Sequence, residues 1–170
     1  MGLDTYVMRA KADTSTFLVK DEYGDNKVND SIWKDCLYWR KCWGLDSYLS
    51  FHATDRVGDE YTAVIPFEVL EDLYNTVCDK ISRVLKAVNN FKRFPFSNVE
   101  TIDQLEDYDG AFECEDMYPL WDAIEEIAGE TFTDSIWGAI TALRTTYHQL
   151  HDIMAEPDAA DYTYVWVSSF

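Results

Sequence analysis

The sequence predicts an α+β fold, in which a small and mostly antiparallel sheet is packed by three to four helices in a two-layer single domain. Three observations predict this class. Short segments near both ends and in the middle alternate between apolar and polar residues, as strands do. Longer segments between them repeat apolar residues every three or four positions, as amphipathic helices do. At 170 residues, with 47% hydrophobic and 15% aromatic residues, the chain can bury one core.

Four segments carry the strand signal. Residues 3–8 and 162–167 alternate near the two ends of the chain, and these terminal strands are expected to lie in the same sheet. Residues 60–65 form a third alternating run. The segment 13–29 contains a cluster of turn-forming residues around Gly24 and therefore predicts a hairpin with a loop.

Helical periodicity is strongest after residue 65. The clearest helix covers about 66–89, and a second covers about 119–128, with Gly129 placed to end it. Thr133 or Asp134 is expected to cap a third. One short helix is also expected near 102–106.

An aromatic block near residue 40 predicts a further helix. Asp30 or Ser31 would cap it, and the helix would begin at Ile32. Its apolar stripe at helical spacing consists of Ile32, Cys36, Trp39 and Trp43. In the simplest interpretation this is an aromatic helix packed on the sheet, with Arg40 and Lys41 reaching solvent.

The charge of the chain is uneven. Its formal net charge is -18, but residues 1–96 hold fifteen acids and thirteen bases, whereas residues 97–170 hold seventeen acids and a single base, Arg144. The domain therefore has a near-neutral half and a strongly acidic half. A field of this sign repels nucleic acid and anionic membranes and attracts basic surfaces. That excludes most proteins that bind nucleic acid directly.

Residues 94–143 contain no Lys or Arg and carry thirteen carboxylates. A solvated face that keeps the protein soluble is the simplest interpretation, but solubility rarely needs a net charge beyond about 2–8 in a small domain. Sixteen uncompensated charges in the acidic half also destabilise a fold by self-repulsion. We therefore predict a partner-binding surface, with aromatic anchors at Tyr108, Phe112 and Tyr118 and these carboxylates: Glu100, Asp103, Glu106, Asp107, Asp109, Glu113, Glu115, Asp116, Asp122, Glu125, Glu126 and Glu130.

No pattern in the sequence predicts catalysis, and we expect no enzyme activity, no metal site and no cofactor. Phosphate-loop, dinucleotide-binding, nucleophile-elbow and zinc-protease motifs are missing from the sequence. His148 and His151 have the i, i+3 spacing of two metal ligands but lack an evident third, so surface histidines are the simpler interpretation. Residues 105–116 partly match a calcium loop, yet Leu105 occupies its first ligand position.

Two further features bear on the cellular setting. The four cysteines form no C-x-x-C pair, which favours free and mostly buried thiols. No run of eighteen apolar residues is present, and the first residues lack an apolar signal core. We therefore expect a cytoplasmic protein that does not bind membranes.

Three motifs occur in a characteristic order: MGLD at residues 1–4, YWRK at 38–41, and an aromatic strand ending in SSF at 168–170. In this respect the chain resembles a family of small uncharacterised phage and prophage proteins, over about half of its length. The resemblance implies a phage protein acting in an infected bacterial host and no particular activity. The chain departs from the family at Trp43 and Asp46, where an Asn and a His are usual, and in its acidic segment 107–116.

These observations predict an acidic phage inhibitor that mimics DNA or RNA and binds the basic nucleic-acid-binding groove of a host defence machine, such as a CRISPR effector or a restriction enzyme. An alternative is a nucleotide-binding sponge that sequesters a host immune signal between Arg40, Lys41 and a cluster of four rings. Those rings belong to Trp33, Tyr38, Trp39 and Trp43. A second alternative is a phage accessory protein whose acidic face is merely solvated.

Overall fold

The computed structural model describes residues 3–92, 98–106, 115–132 and 136–169. Its main sheet has four strands, β1 (Asp4–Ala10), β4 (Lys34–Arg40), β5 (Thr62–Ile65) and β6 (Thr163–Ser169). All neighbouring strands are antiparallel, in the order β4-β1-β6-β5. Two short strands, β2 (Leu18–Lys20) and β3 (Asn26–Val28), form a separate hairpin. The α+β class and the pairing of the two terminal strands are confirmed.

Four α-helices lie in the described part of the chain: α1 (Trp43–His52), α2 (Phe67–Asn90), α3 (Tyr118–Ala128) and α4 (Ile136–Met154). Three 3₁₀ turns lie at Thr14–Thr16, Glu115–Met117 and Ala159–Asp161, and a fourth covers 102–106. The sequence predictions for the three longest amphipathic segments are therefore confirmed within a few residues. None of the described helices combines the length and the apolar character that crossing a membrane requires.

The predicted helix from Ile32, capped by Asp30 or Ser31, is wrong. Residues 34–40 form β4, and the helix begins only at Trp43. Along β4, burial alternates, because Leu37 and Trp39 point into the core while their neighbours are more exposed. Pairing with β1 fixes this extended conformation, and the register slips by one residue between Val7 and Met8 of β1. The helical stripe seen in the sequence was a coincidence of spacing across a strand, a turn and a helix.

The chain divides into two compact units. The first unit contains residues Met1–Leu73 and Gln149–Phe170, and the second contains Tyr74–His148. The sheet and α1 belong to the first unit, α3 belongs to the second, and α2 and α4 contribute residues to both.

Both faces of the main sheet carry buried side chains in the first unit. One face is covered by α1, whose Leu45 and Leu49 are fully buried. The other is covered by the segment that precedes β4, where Phe17 and Trp33 pack on each other edge to face, with ring centroids 5.0 Å apart. Because β6 is a central strand with apolar material on both sides, its consecutive residues 164–166 are all buried.

The two edge strands are protected by hydrogen bonds from other parts of the first unit. At the β4 edge, the side-chain amide of Gln149 accepts a hydrogen bond from the Tyr38 N–H at 2.7 Å and donates one to the Tyr38 carbonyl at 3.0 Å. At the β5 edge, the N–H of Val64 donates to the Asp55 carbonyl, and its own carbonyl accepts from the Thr54 N–H, both at 2.9 Å. These bonds occupy the outward-facing backbone groups of Tyr38 and Val64, so those groups are not open to pairing with another strand.

Candidate functional site

The predicted partner-binding residues that the structure describes belong to the second unit and are nearly all at its surface. Glu125 is half-buried, and the other eight carboxylates are exposed: Glu100, Asp103, Glu106, Glu115, Asp116, Asp122, Glu126 and Glu130. Tyr118 is 48% exposed. The remaining predicted residues lie outside the described part of the chain: Asp107, Tyr108, Asp109, Phe112 and Glu113. We call the described carboxylates together with Tyr118 the acidic surface.

The second half of this surface lies on α3. Leu120, Ile124 and Ala128 are buried on one side of the helix, at four-residue steps. The opposite side is therefore turned to solvent and presents Asp122 and Glu126, also four residues apart. Side chains at this spacing are neighbours, with Cβ atoms roughly 5–6 Å apart. The helix thus holds two like charges, those of Asp122 and Glu126, side by side on a rigid backbone. We call this pair of carboxylates the row on α3.

Glu130 does not continue this row, although it lies four residues after Glu126. The helix ends at Ala128, because Gly129 takes a positive φ of 68° and its N–H donates to the Glu125 carbonyl at 2.9 Å. A left-handed residue at this position turns the chain away from the helix axis. Glu130 is exposed on the turn that follows.

The first half of the acidic surface lies on residues 98–106, which side-chain hydrogen bonds hold in place. The amide of Asn89, near the end of α2, donates to the Val99 carbonyl at 2.8 Å and accepts from the Val99 N–H at 2.9 Å. Gln104 Oε1 accepts from the N–H groups of Glu100 at 2.6 Å and Thr101 at 3.0 Å. These bonds fix the backbone that carries Glu100 and Asp103.

Apolar contacts anchor the same segment. The side chains of Val99, Ile102 and Leu105 are buried, with exposed fractions of 4% or less. A loop that buries three apolar side chains is held in one conformation. The carboxylates of this segment therefore project from an ordered surface.

Basic side chains of the second unit contact this surface at two places. Arg144 on α4 forms an ion pair with Glu106, and Nε2 of His148 lies 2.7 Å from Oδ1 of Asp103. Lys80 on α2 donates from Nζ to the carbonyl of Ile127 at 2.7 Å, at the C-terminal end of α3 where a positive charge is favourable. Burial lowers the pKa of Lys80.

The row on α3 is different. Asp122 and Glu126 form no ion pair with any residue that the structure describes. Their charges are therefore balanced by solvent ions, which an incoming cationic surface can displace.

The two histidines that had metal-ligand spacing do not form a site with the described residues. His148 contacts Asp103, as above, and His151 is exposed one turn further along α4. Within the described ranges no group of three or more His, Cys, Asp or Glu side chains is placed to hold a metal ion. Most of the calcium-loop-like segment 105–116 lies outside them.

The aromatic block does not form a four-ring pocket. Trp33 is 1% exposed and Trp39 is 3% exposed, so both belong to the core of the first unit. The indole N–H of Trp33 donates to Thr16 Oγ1 at 3.2 Å. Tyr38 and Trp43 are exposed, at 41% and 53%. The stacking partners that a nucleotide sponge would need are therefore largely inside the protein.

Sequence reasoning missed the residues that order the acidic surface, Asn89 and Gln104. The signal for Asn89 was its place at the end of a long amphipathic helix, where side chains often bind loose backbone groups. Gln104 lies four residues after Glu100, a spacing at which a side chain can reach back to bond the first N–H groups of a turn.

No protein family, curated protein or solved structure matches this chain significantly.

Proposed function

We propose that this chain is a phage-encoded acidic inhibitor that binds the basic, nucleic-acid-binding groove of a host defence machine, such as a CRISPR effector or a restriction enzyme, and acts by binding rather than by catalysis. The observation that carries the proposal is the exposure of eight of the nine described carboxylates of the acidic surface on ordered backbone. The phage setting rests on the motif resemblance alone.

The spacing of the charges supports mimicry of nucleic acid. Asp122 and Glu126 are separated by roughly 6 Å along the axis of α3, since a helix rises about 1.5 Å per residue. Duplex DNA presents a charge every 3.4 Å or so along each strand. The axial separation of the two carboxylates thus corresponds to about two phosphate steps along one strand, so alternate Lys or Arg residues of a phosphate-binding groove can meet them.

An exposed aromatic residue next to the charges supports the same interpretation. Tyr118 begins α3 one turn before Asp122, and its ring contacts that of Trp121 with centroids 5.2 Å apart. Aromatic side chains at the edge of a charged surface provide apolar contact area and cation–π partners for Arg. Trp121 holds the Tyr118 ring, so this contact is partly ordered before binding.

The nucleotide-sponge alternative receives less support, because Trp33 and Trp39 are buried in the core. A merely solvated acidic face remains the hypothesis that the experiment must separate from mimicry. Both hypotheses predict exposed carboxylates, but only mimicry predicts that particular carboxylates matter for binding.

The experiment compares capture of proteins from a bacterial lysate by two triple variants that remove the same charge. One variant neutralises the α3 end of the acidic surface through Asp122→Asn, Glu126→Gln and Glu130→Gln. The matched control neutralises exposed acids of the first unit through Glu22→Gln, Asp25→Asn and Asp55→Asn. Each bound protein is then challenged with duplex DNA and with rising salt.

Mimicry predicts that a nucleic-acid-binding protein is captured by the unaltered chain and by the control, and that the α3 variant captures it at least about tenfold less. The captured protein should be released by duplex DNA and by salt, since screening weakens exposed charge contacts. Equal capture by both triple variants, or retention of the partner in excess DNA, would contradict the proposal.

A further inference from the structure

The first unit contains a small cavity that is separate from the acidic surface. It has a volume of about 210 Å³ and lies between the main sheet and the β2–β3 hairpin. Its walls come from three strands and from the segment around β3: Tyr6, Met8, Val28, Asp30, Asp35 and Val167. Pockets for drug-sized ligands usually measure about 300–1,000 Å³, so this one fits a short chain of a few heavy atoms.

The sheet register explains why these residues meet. Tyr6 is paired with Val167 across β1 and β6, and Met8 is paired with Asp35 across β1 and β4. Side chains of directly paired residues lie on the same face of a sheet. The register slip between Val7 and Met8 brings Asp35 opposite Met8. The β-bulge therefore places the Asp35 carboxylate beside the apolar and aromatic side chains that line the cavity.

The chemistry of the walls is apolar with two acids. Met8 is buried, Val28 and Val167 are half-buried, and the Tyr6 ring is held by the Tyr38 ring at a centroid distance of 5.0 Å. Asp30 and Asp35 are exposed. Neither carboxylate accepts a hydrogen bond from, or forms an ion pair with, any residue that the structure describes, and the nearby Lys34 ammonium donates instead to the main-chain carbonyl of Asp30.

We propose that this cavity binds a linear primary alkylammonium ion of about four to six carbon atoms. The alkyl chain would lie against Met8, Val28 and Val167, and the ammonium group would lie between Asp30 and Asp35 at the opening. Tyr6 offers an aromatic face to the cation. The two carboxylates disfavour an anionic ligand of the same length, so charge selects among ligands that the apolar walls would accept equally.

The inference does not rest on the proposed function, because the cavity is lined entirely by the first unit. The ammonium group belongs to a free amine in this proposal. A lysine side chain of another protein shares the same chemistry, and the test separates the two sources.

The test uses the methyl resonance of Met8, which lines the cavity, with the other three methionines of the chain as internal references. Pentylamine is titrated into the full chain at constant ionic strength, in parallel with 1-pentanol and pentanoate. We expect a saturable shift of the Met8 methyl with pentylamine, at least about tenfold weaker binding of pentanol, and no saturable shift with pentanoate.

Two variants test the assigned residues. Asp30→Asn with Asp35→Asn should weaken pentylamine binding at least about tenfold, whereas the matched double variant Asp25→Asn with Asp55→Asn should leave it within about twofold. Val167→Phe should fill the cavity and abolish binding with both carboxylates intact. Backbone amide spectra of each variant show whether the fold is kept.

A peptide with one lysine and blocked ends identifies the source of the ammonium group. Pentylamine binding at least as tightly as this peptide supports a free amine, and a clearly tighter peptide overturns that assignment in favour of a protein side chain. The cavity proposal as a whole is overturned if pentanol binds as well as pentylamine, or if the Asp30 and Asp35 variant binds normally while its fold is intact.

Discussion

Acidic side chains have different structural roles in the two units. In the first unit, two acids that follow α4 bind cations in β1 or just after it. Arg9 donates two hydrogen bonds to Glu156, at 2.7 and 2.8 Å, and Lys11 forms an ion pair with Asp158. In the second unit, Asp122 and Glu126 face solvent without an ion pair among the described residues. Acidic residues are therefore used in two ways: Glu156 and Asp158 join parts of the first unit, whereas Asp122 and Glu126 face solvent on α3.

The division at residue 96 therefore overstates the contrast in charge. Counted by unit, the second unit has fourteen acids and six bases, and the first has eighteen acids and eight bases. What distinguishes the second unit is where its bases are used. Lys80 binds the end of α3, and Arg144 binds Glu106, so neither neutralises the row on α3. The exposed row on α3 is therefore recognised from which acids form ion pairs, rather than from the net charge of the unit.

The largest effect is expected where an acid of the first unit is buried. Asp46 on α1 is 8% exposed, and its Oδ1 accepts hydrogen bonds from Thr5 Oγ1 at 2.9 Å and from the indole N–H of Trp166 at 3.0 Å. Asp46→Ala leaves both donors buried without their acceptor, at a cost of about 2–4 kcal/mol. We expect a matching loss in the free energy of unfolding measured by urea denaturation.

The control for this prediction is Asp46→Asn, which keeps an oxygen acceptor in the same place and should cost clearly less. If Asp46→Ala were as stable as the unaltered chain, the buried acid would have no role in joining α1 to β1 and β6.

A smaller effect is expected from the pair between β1 and the segment after α4. Glu156→Gln keeps the shape of the side chain but removes the charge that holds the guanidinium of Arg9. The pair is partly exposed, so the loss should be about 1–2 kcal/mol rather than the larger cost of breaking a buried pair. Asp152→Asn, on an exposed position of α4, serves as the control and should change the unfolding free energy by less than about 0.5 kcal/mol.

The sequence was sufficient to predict those helices and strands in which the periodicity of apolar residues agrees with the burial seen in the structure. Strands β1 and β6 and helices α2, α3 and α4 have one dominant period, so local pattern and tertiary packing select the same conformation. β4 could not be predicted, because residues 32–43 carry apolar residues at both helical and alternating spacing. The contact that decides between the two is the pairing with β1, some thirty residues away.

The same limit applies to the acidic surface. The helical spacing of Asp122 and Glu126 is sufficient to make them neighbours, because both lie on one helix. Nothing local could predict that Asp103 meets His148, which is 45 residues away. The burial of Asp46 was equally hidden, since an acid between apolar residues on a short helix usually faces solvent.

The response to pH should reveal the ion pair between Lys11 and Asp158 in the first unit. The Lys11 ammonium hydrogen-bonds to Asp158 and lowers the pKa of that carboxyl below its ordinary 3.8. The stabilisation that this ion pair gives to the folded state is therefore present above pH 3.8, and it is lost as the pH falls through the lowered pKa of Asp158. The pKa of Lys11 is raised above 10.5 for the same reason, so the pair also weakens at pH values beyond that.

The measurement is the thermal unfolding midpoint between pH 2 and pH 6 for the unaltered chain and for Lys11→Met. The difference between the two midpoints should be constant near neutral pH and shrink below about pH 4. Lys27→Met, at an exposed position on β3, should show a difference that does not change over this range. A Lys11→Met difference that persists unchanged at pH 2 would contradict the ion-pair interpretation.

The smallest effect on stability should come from the row on α3, as the proposed role in partner binding requires. Asp122→Asn with Glu126→Gln removes two neighbouring like charges that no described residue pairs, so the free energy of unfolding should stay the same or rise, by no more than about 0.5 kcal/mol. Urea denaturation at low and high salt measures it, and any gain should disappear in high salt because the repulsion is already screened. A loss above 1 kcal/mol would mean that these carboxylates hold the fold together, as Glu156 does, and the two units would no longer differ in how they use their acids. A chain that keeps such charges without a gain in stability has them available for a partner.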